Sequence, residues 1–350
     1  MHLQEHQHIA VMRTDRVGDL ILSTPVFAAL RNAYPTARIT AVVSRYSHEV
    51  LIGNPNVDHI LIYDDRRSRA RYKELRDQHF STALALAPIS ACHRLAFASR
   101  APRRIGYVYR SRPTALAAAR LYLTDLLVCE VDQKDLEQTY RTVPHEVEQN
   151  LELLKYLGIT PQETRLDLHI SSRETADAAA ILSSLGMTRE SLILGVHLST
   201  ALVEQLPEGF FSSFLKALVK AFGAKVLVTY GPKEESWVHD IEDQVRSRFV
   251  QFVGYLPLKT WAALIGHCRL FISANTGAAH VAAAAGIPVV CVMEDKFFAY
   301  HSQRWHPWGV PYVLVRKQHV RNGRYGGVDS EQLKGGILEG VAAILEVDGT

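Results

Sequence analysis

Cysteine is scarce: the 350 residues hold four, Cys92, Cys129, Cys268 and Cys291, and no two form a Cys-x-x-Cys pair. That removes zinc-ribbon and thioredoxin-like chemistry and suits a reducing compartment. Long apolar runs are missing as well. The most apolar stretch, Ala278 to Met293, is shorter than a membrane span and is broken by His280, Gly286 and Pro288. The first eight residues show no basic start followed by an apolar run, so a cytoplasmic location is the expectation. No Gly-x-Gly-x-x-Gly follows the first candidate strand, which speaks against a dinucleotide oxidoreductase, and the absence of Gly-x-x-x-x-Gly-Lys excludes a P-loop. Nor does either sign of charge dominate: 39 Lys and Arg stand against 36 Asp and Glu. A histone-like binder of nucleic acid is therefore excluded.

What is present is a composition of 47% hydrophobic and 21% charged residues, ordinary for a folded chain whose length suits two domains. Short apolar runs alternate with helical patterns. Ile9–Met12, Ile39–Val43, His59–Tyr63 and Ala83–Leu86 read as buried strands, and Leu20, Ile21, Thr24, Phe27 and Ala28 line one helix face. Glu146–Leu157 reads as an amphipathic helix closing at Gly158. A second series follows: strands Leu192–His197, Lys225–Tyr230, Phe249–Val253, Leu270–Ser273 and Pro288–Met293, separated by helices Pro207–Phe222, Glu234–Arg248 and Leu258–His267. The segment Leu166–Glu190 reads as the hinge, with a helix Arg173–Leu185 ending at Gly186. The alternation predicts an α/β protein of two doubly wound, mostly parallel units. The boundaries fall at 1–170 and 171–329, and a last helix within 330–350 is expected to pack back toward the N-terminal domain. In such folds ligands meet the carboxyl ends of the strands, so the loops there hold the candidate chemistry.

The first such loop is Arg13-Thr-Asp15-Arg16-Val-Gly18-Asp19, running on to Ser23-Thr24-Pro25. Gly18 lets the backbone approach a ligand, and Asp19 stands near a helix start. There it can act as general base on a hydroxyl or simply cap the helix, and spacing leaves both open. Pro25 is consistent with a helix whose first turn begins at Ser23 or Thr24. The second loop is Ser273-Ala-Asn275-Thr276-Gly277-Ala-Ala-His280. A small-residue helix starting near Thr276 or Gly277 presents free N–H groups to an anion, with His280 one turn in. The competing reading is a tightly packed crossover helix capped by Asn275.

Taken together these residues resemble glycosyltransferase family nine, the lipopolysaccharide heptosyltransferase-like group. The first loop carries the resemblance, as do Ala33-Tyr34-Pro35, Arg104-Ile105-Gly106-Tyr107, His145-Glu146 with Asn150-Leu151-Glu152, and Leu157-Gly158-Ile159. So do Gly195-Val-His197, Gly231-Pro-Lys-Glu234, Val253-Gly254 and the stretch from Thr276-Gly277 to Pro288. The resemblance implies a GT-B fold, two Rossmann-like domains facing across a cleft, the first for the acceptor and the second for a nucleotide-sugar. It implies inverting, metal-independent transfer of heptose or a related sugar, with no cofactor beyond the donor, an ADP-sugar, and a lipopolysaccharide or other surface glycan as acceptor. By position Asp19 becomes the general base. Arg13, Asp15, Arg16, Gly18 and Arg104 fall on the acceptor side, and Ser199, Thr200, Glu234, Asn275, Thr276, Gly277 and His280 on the donor side.

The chain departs from the family pattern in three places. Glu204 stands where the family carries a lysine, Asn275 where it carries an aspartate, and Met293–Phe298 replaces a Phe-Gly-Pro-Thr-like stretch. A non-catalytic glycan- or nucleotide-binding homologue and a GT-B sugar-nucleotide epimerase therefore stand as alternatives. Trp305-His306-Pro307-Trp308 either lines the cleft or forms a surface turn. Finally, residues 61–120 hold thirteen Lys and Arg against four acids, a net of +9, while the other residues carry −6. Such polarity in the acceptor half implies an anionic glycan or glycolipid partner and peripheral contact at the inner face of the membrane; a solvated face balanced by acids elsewhere is the alternative.

Overall fold

A computed structural model of the chain describes residues 7–63, 69–133, 142–188, 190–322 and 325–347. The chain divides into two compact units, Met1–His169 and Ile170–Thr350. Each is a six-stranded parallel sheet with helices on both faces.

In the first unit the strands are β1 (His8–Arg13), β2 (Arg38–Val43), β3 (His59–Ile62), β4 (Thr82–Ala85), β5 (Arg103–Tyr109) and β6 (Asp125–Cys129), in the order β3-β2-β1-β4-β5-β6. Ile9 to Met12 are wholly buried, as a strand covered on both faces requires. Helices α1 (Val17–Ile21) and α2 (Thr24–Ala33) follow β1, with Pro25 in the first turn of α2. The remaining helices of this unit are α3 (Arg69–Asp77), α4 (Ser90–Ala98), α5 (Pro113–Tyr122) and α6 (Glu146–Glu152). The amphipathic pattern 146–157 is not one helix. After α6 it tightens into a 3₁₀ turn, Leu153–Leu157, and closes on Gly158 at φ +70°.

The second unit repeats the plan. The strands of its main sheet are β7 (Ile193–Leu198), β8 (Lys225–Tyr230), β9 (Val250–Val253), β10 (Leu270–Ala274), β11 (Val289–Glu294) and β12 (Tyr312–Lys317), in the order β12-β11-β10-β7-β8-β9, and two short strands, His319–Asn322 and Tyr325–Val328, pair antiparallel apart from it. The helices are α7 (Ser172–Ser184), α8 (Thr200–Val203), α9 (Phe210–Phe222), α10 (Glu235–Val245), α11 (Leu258–Ile265), α12 (Gly277–Ala284), α13 (Phe298–Arg304) and α14 (Ser330–Val347). One face of the sheet packs Val196, Val226, Val290 and Phe214 into a core that also holds Ile337 and Val341 of α14; the other packs Ile193 and Leu227 against Ala178, Leu182 and Leu264. Within its own unit α14 packs on β12, β11 and α9.

In each unit the winding reverses once, between β1 and β4 and between β7 and β10. A crevice outside the carboxyl ends opens at such a switch point. The loops after β1 and β7 and the start of α12 after β10 occupy these places. No helix among the described residues is long and apolar enough to cross a membrane. All four cysteines are free, and burial pushes the Cys92, Cys268 and Cys291 thiols up to about 12, where they are inert.

Candidate active site

Arg13 ends β1, and its side chain is 3% exposed. A buried guanidinium is tolerated only when its donors are satisfied by acceptors, carboxylates above all. Nε pairs with Asp15 Oδ1 at 2.8 Å, Nη2 with Asp19 Oδ1 at 3.0 Å and Nη1 with Glu146 Oε1 at 2.7 Å. Nη1 also donates to the carbonyl of Leu86, just after β4, so the arginine bridges the two strands of the switch point. Tyr107 Oη donates to the same Glu146 oxygen at 3.3 Å. Burial works against the Arg13 charge, but three carboxylates outweigh it and hold its pKa well above the ordinary value.

Asp19 lies in the first turn of α1, yet it does not cap that helix. The N-cap is Arg16, with no side-chain cap bond. Its carboxylate faces Arg13 instead. Burial pushes Asp19 up to about 6, and Arg13 opposes that rise while Asp15 and Glu146 add to it. The result is a carboxylate ionised at neutral pH yet far more basic than an exposed one, which is the property a general base needs.

Of the acceptor-side expectations, the structure gathers Arg13, Asp15 and Gly18 around Asp19, with Arg16 exposed at the start of α1. Arg13 is committed to carboxylates and a carbonyl, so it holds Asp19 and is not offered to a ligand. Arg104 does not join them. It sits near the amino end of β5, where Nε donates to the Tyr122 carbonyl at 2.7 Å and Nη1 to that of Ala101 at 2.6 Å. The residues missing from the sequence-stated site are Glu146 and Asn150, one turn apart on α6. They are 2% and 0% exposed, and Asn150 Nδ2 donates to Ser23 Oγ at 3.3 Å. Their signal was available: two polar residues at i, i+4 on the buried face of an amphipathic helix.

In the second unit, β7 ends in Leu198 and the chain turns through Ser199 into α8. Thr200 donates from both N–H and Oγ1 to Glu234 Oε1, at 3.1 and 2.9 Å. Glu234 is buried at the start of α10, and Gly231 makes room for it: a Cβ there would come within 3.1 Å of Glu234 Oε2. Ser199 Oγ is buried and has no hydrogen-bond partner among the described residues. After β10, Asn275 N–H donates to the Val292 carbonyl, and Thr276, not Asn275, caps α12, its Oγ1 accepting from Ala278 N–H at 3.4 Å. Gly277 starts the helix and His280 lies buried one turn in. Below them on β7, His197 Nδ1 meets Thr229 Oγ1 at 3.1 Å and its ring lies 5.1 Å from that of Trp261. Burial pushes His197 down to about 4, so it is neutral.

The sequence profile of glycosyltransferase family 9 (heptosyltransferase) matches residues 69–325. The chain belongs to glycosyltransferase family 9. A putative glycosyltransferase of Haemophilus influenzae is 23% identical over 86% of both chains. Among solved structures, a glycosyl transferase family 9 protein from Veillonella parvula superposes with a TM-score of 0.79 at 21% identity, covering 99% of this chain and 98% of that one. The ADP-heptose lipopolysaccharide heptosyltransferase II of Escherichia coli gives 0.71 at 17% identity, covering 98% and 100%.

Glu204, one of the family 9 enzyme's departures, is exposed at the end of α8 and lines a crevice of about 750 Å³ with Leu206, Phe210, Trp237 and Asp240. His306 stacks on Tyr312 at 4.9 Å, at the amino end of β12. The basic stretch is partly balanced from within its own unit. Arg110 pairs with Glu130 at 2.6 Å, and Arg112 takes Asp132 in a fork at 2.7 and 2.9 Å. Burial would raise the Asp132 carboxyl, but that fork, with the Gln133 N–H and Ser111, holds it below the usual carboxylate range. Arg66 and Arg67 lie outside the described residues.

Proposed function

We propose that this glycosyltransferase moves heptose or a related sugar from a nucleotide-sugar, an ADP-sugar, to a lipopolysaccharide or similar surface glycan. Transfer inverts the anomeric centre and uses no metal. The observation that carries the reading is the Asp19 carboxylate, held by Arg13 at the carboxyl end of β1 and lifted by burial to about 6. The names of the relatives, a heptosyltransferase acting with ADP-heptose among them, supply the substrate class.

In this mechanism Asp19 takes the proton of an acceptor hydroxyl as that oxygen bonds to the anomeric carbon. The bond from that carbon to the phosphate oxygen breaks, and the leaving nucleoside diphosphate keeps the electron pair. Ser199 Oγ and the Gly277 N–H at the start of α12 are the donors offered to that charge, and Glu234 is the candidate partner for a ribose. One well-placed donor to a developing oxyanion contributes about 3–4 kcal/mol. Placed on an amphiphilic glycolipid, the acceptor would bring the enzyme to the inner membrane face.

The test is transfer from ADP-heptose and other nucleotide-sugars to truncated lipopolysaccharide, read by mass spectrometry, with anomeric configuration by NMR. Asp19→Asn should lose transfer by about 10²–10⁴-fold while nucleotide binding persists. Wild-type turnover in that variant overturns the base assignment. Release of an epimerised sugar-nucleotide without acceptor would instead establish the epimerase reaction, and no stabilisation by any nucleotide would establish a non-catalytic role.

A further inference from the structure

Lys317 ends β12, and its side chain is 1% exposed. Its Nζ donates to the carbonyl of Ala201 at 2.9 Å and pairs with Glu294 Oε1 at 3.1 Å; the other oxygen of Glu294 meets His319 Nε2 at 3.0 Å. Burying an ammonium costs several kcal/mol unless its partners are well placed, and a methionine would fill the same space without that cost. The charge therefore has an object. Ala201 lies in α8, a helix of four residues, whose carbonyls have no full set of intrahelical partners.

The residue before it, Thr200, is held by the carboxylate of Glu234, which accepts its N–H and its hydroxyl. Two adjacent residues of one short loop are thus gripped by an acidic and a basic side chain. One comes from the loop after β8, the other from the end of β12 on the far edge of the sheet. The residue preceding both is Ser199, whose buried hydroxyl has no hydrogen-bond partner among the described residues. The other lysines near this edge are placed differently: Lys233 is exposed, and Lys296 lies 4.9 Å above the Phe297 ring.

We infer that Lys317 is a positioning residue for donor binding: through the Ala201 carbonyl it fixes the Ser199–Thr200 loop that takes the donor diphosphate. This rests on the proposed reading of that loop as the donor-phosphate site. A donor group fixed before the ligand arrives binds more tightly, because its ordering is not subtracted from the binding free energy.

The experiment is calorimetric titration with ADP, GDP, UDP and dTDP, followed by Lys317→Met titrated with the diphosphate that the wild type binds. The expected result is a rise in Kd of at least tenfold, a matching rise in the donor KM, and a kcat within threefold of wild type at saturating donor. The acceptor KM stays unchanged. A folded Lys317→Met with wild-type Kd overturns the assignment of Lys317 and leaves the donor-site reading standing. A wild type that binds none of the four overturns that reading, and this inference with it. If Lys317→Met does not fold, deuterium uptake by the wild type decides: slow exchange across 199–204, comparable with β7, supports the clamp, and exchange as fast as an exposed loop overturns it.

Discussion

Arg13 Nη2 and Asp19 Oδ1 stand 3.0 Å apart at the carboxyl end of the first strand, and the guanidinium is the more deeply buried of the two, at 3% exposed against 21%. The pair is unequal in its other contacts as well. Arg13 has two further carboxylates and a carbonyl, while Asp19 keeps an edge open. An ion pair satisfied on one side and open on the other is suited to passing a proton without losing its geometry. The cation stays compensated when Asp19 becomes neutral.

The first expectation concerns pH. With Asp19 at about 6, kcat/KM should be flat above that pH and fall with unit slope below it, reaching about a tenth of the plateau one pH unit lower. A log kcat/KM profile locates the inflection. An inflection near the ordinary carboxylate value of 3.8 would show that burial does not raise Asp19 in the working enzyme.

Stability should respond to the same group in the opposite sense. Asp19's folded pKa is raised, so the fold favours its protonated form. That stabilisation is complete below the unfolded value near 3.8 and is lost as pH rises through about 6. Asp19→Asn, neutral throughout, should therefore unfold at a higher temperature than wild type at pH 8 and at nearly the same temperature at pH 4. Calorimetry at the two pH values checks the sign, and a variant less stable at pH 8 contradicts it.

How far the residues announced this arrangement depends on whether a signal was local. The loop after β1 was legible because strand, charged turn and Gly-Asp lie within a dozen residues. Glu146 was legible only as a polar residue on a buried helix face; its pairing with Arg13 was not, because that spans 133 positions. Arg104 was placed in the site by position along the chain alone. Its strand, β5, opens on Arg103 and Arg104, which hid it among polar residues, and it is the other end of that strand that faces the site. The edge strand β6 is only half-buried throughout, so its pattern carries little contrast. The start of α12 was legible at Thr276–Gly277, where a cap and small residues are local. The grip on Thr200 and Ala201 was not, since Glu234 and Lys317 come from distant segments.

Arg13 should matter more to folding than any of its partners. Arg13→Met leaves Asp15, Asp19 and Glu146 facing one another without a cation, and removing one partner of a buried pair costs about 3–5 kcal/mol. Glu146→Gln keeps an acceptor for Arg13 and leaves two carboxylates in place, so its cost should be smaller. Urea unfolding of the two variants orders them, and equal losses would mean that the guanidinium is not the centre of the cluster.

Glu234 supports Thr200 by hydrogen bonds, and the two substitutions at that position should separate accordingly. Glu234→Ala strands a buried N–H, a loss of about 1–3 kcal/mol, and should weaken nucleoside diphosphate binding in the same step. Glu234→Gln retains an oxygen that accepts both Thr200 donors and should keep most of the stability. Calorimetric Kd values and unfolding curves measured together test this, and a Gln variant as damaged as the Ala variant would point to the charge instead of the bonds.

His197 provides a marker for the second unit. It is half-buried on β7 against Trp261 and Thr229, and desolvation pushes its folded pKa down to about 4 from the ordinary 6.5. A depressed histidine favours the neutral form, so its contribution is present above 6.5 and is lost as pH falls through about 4. Over that window the wild type should lose stability that His197→Gln, which does not titrate, keeps. At pH 8 the substitution should be destabilising, through poorer packing on Trp261, and the gap should shrink or reverse by pH 4. Thermal unfolding of both proteins across pH 4–8 decides it: parallel curves would show that His197 is not buried in its neutral form.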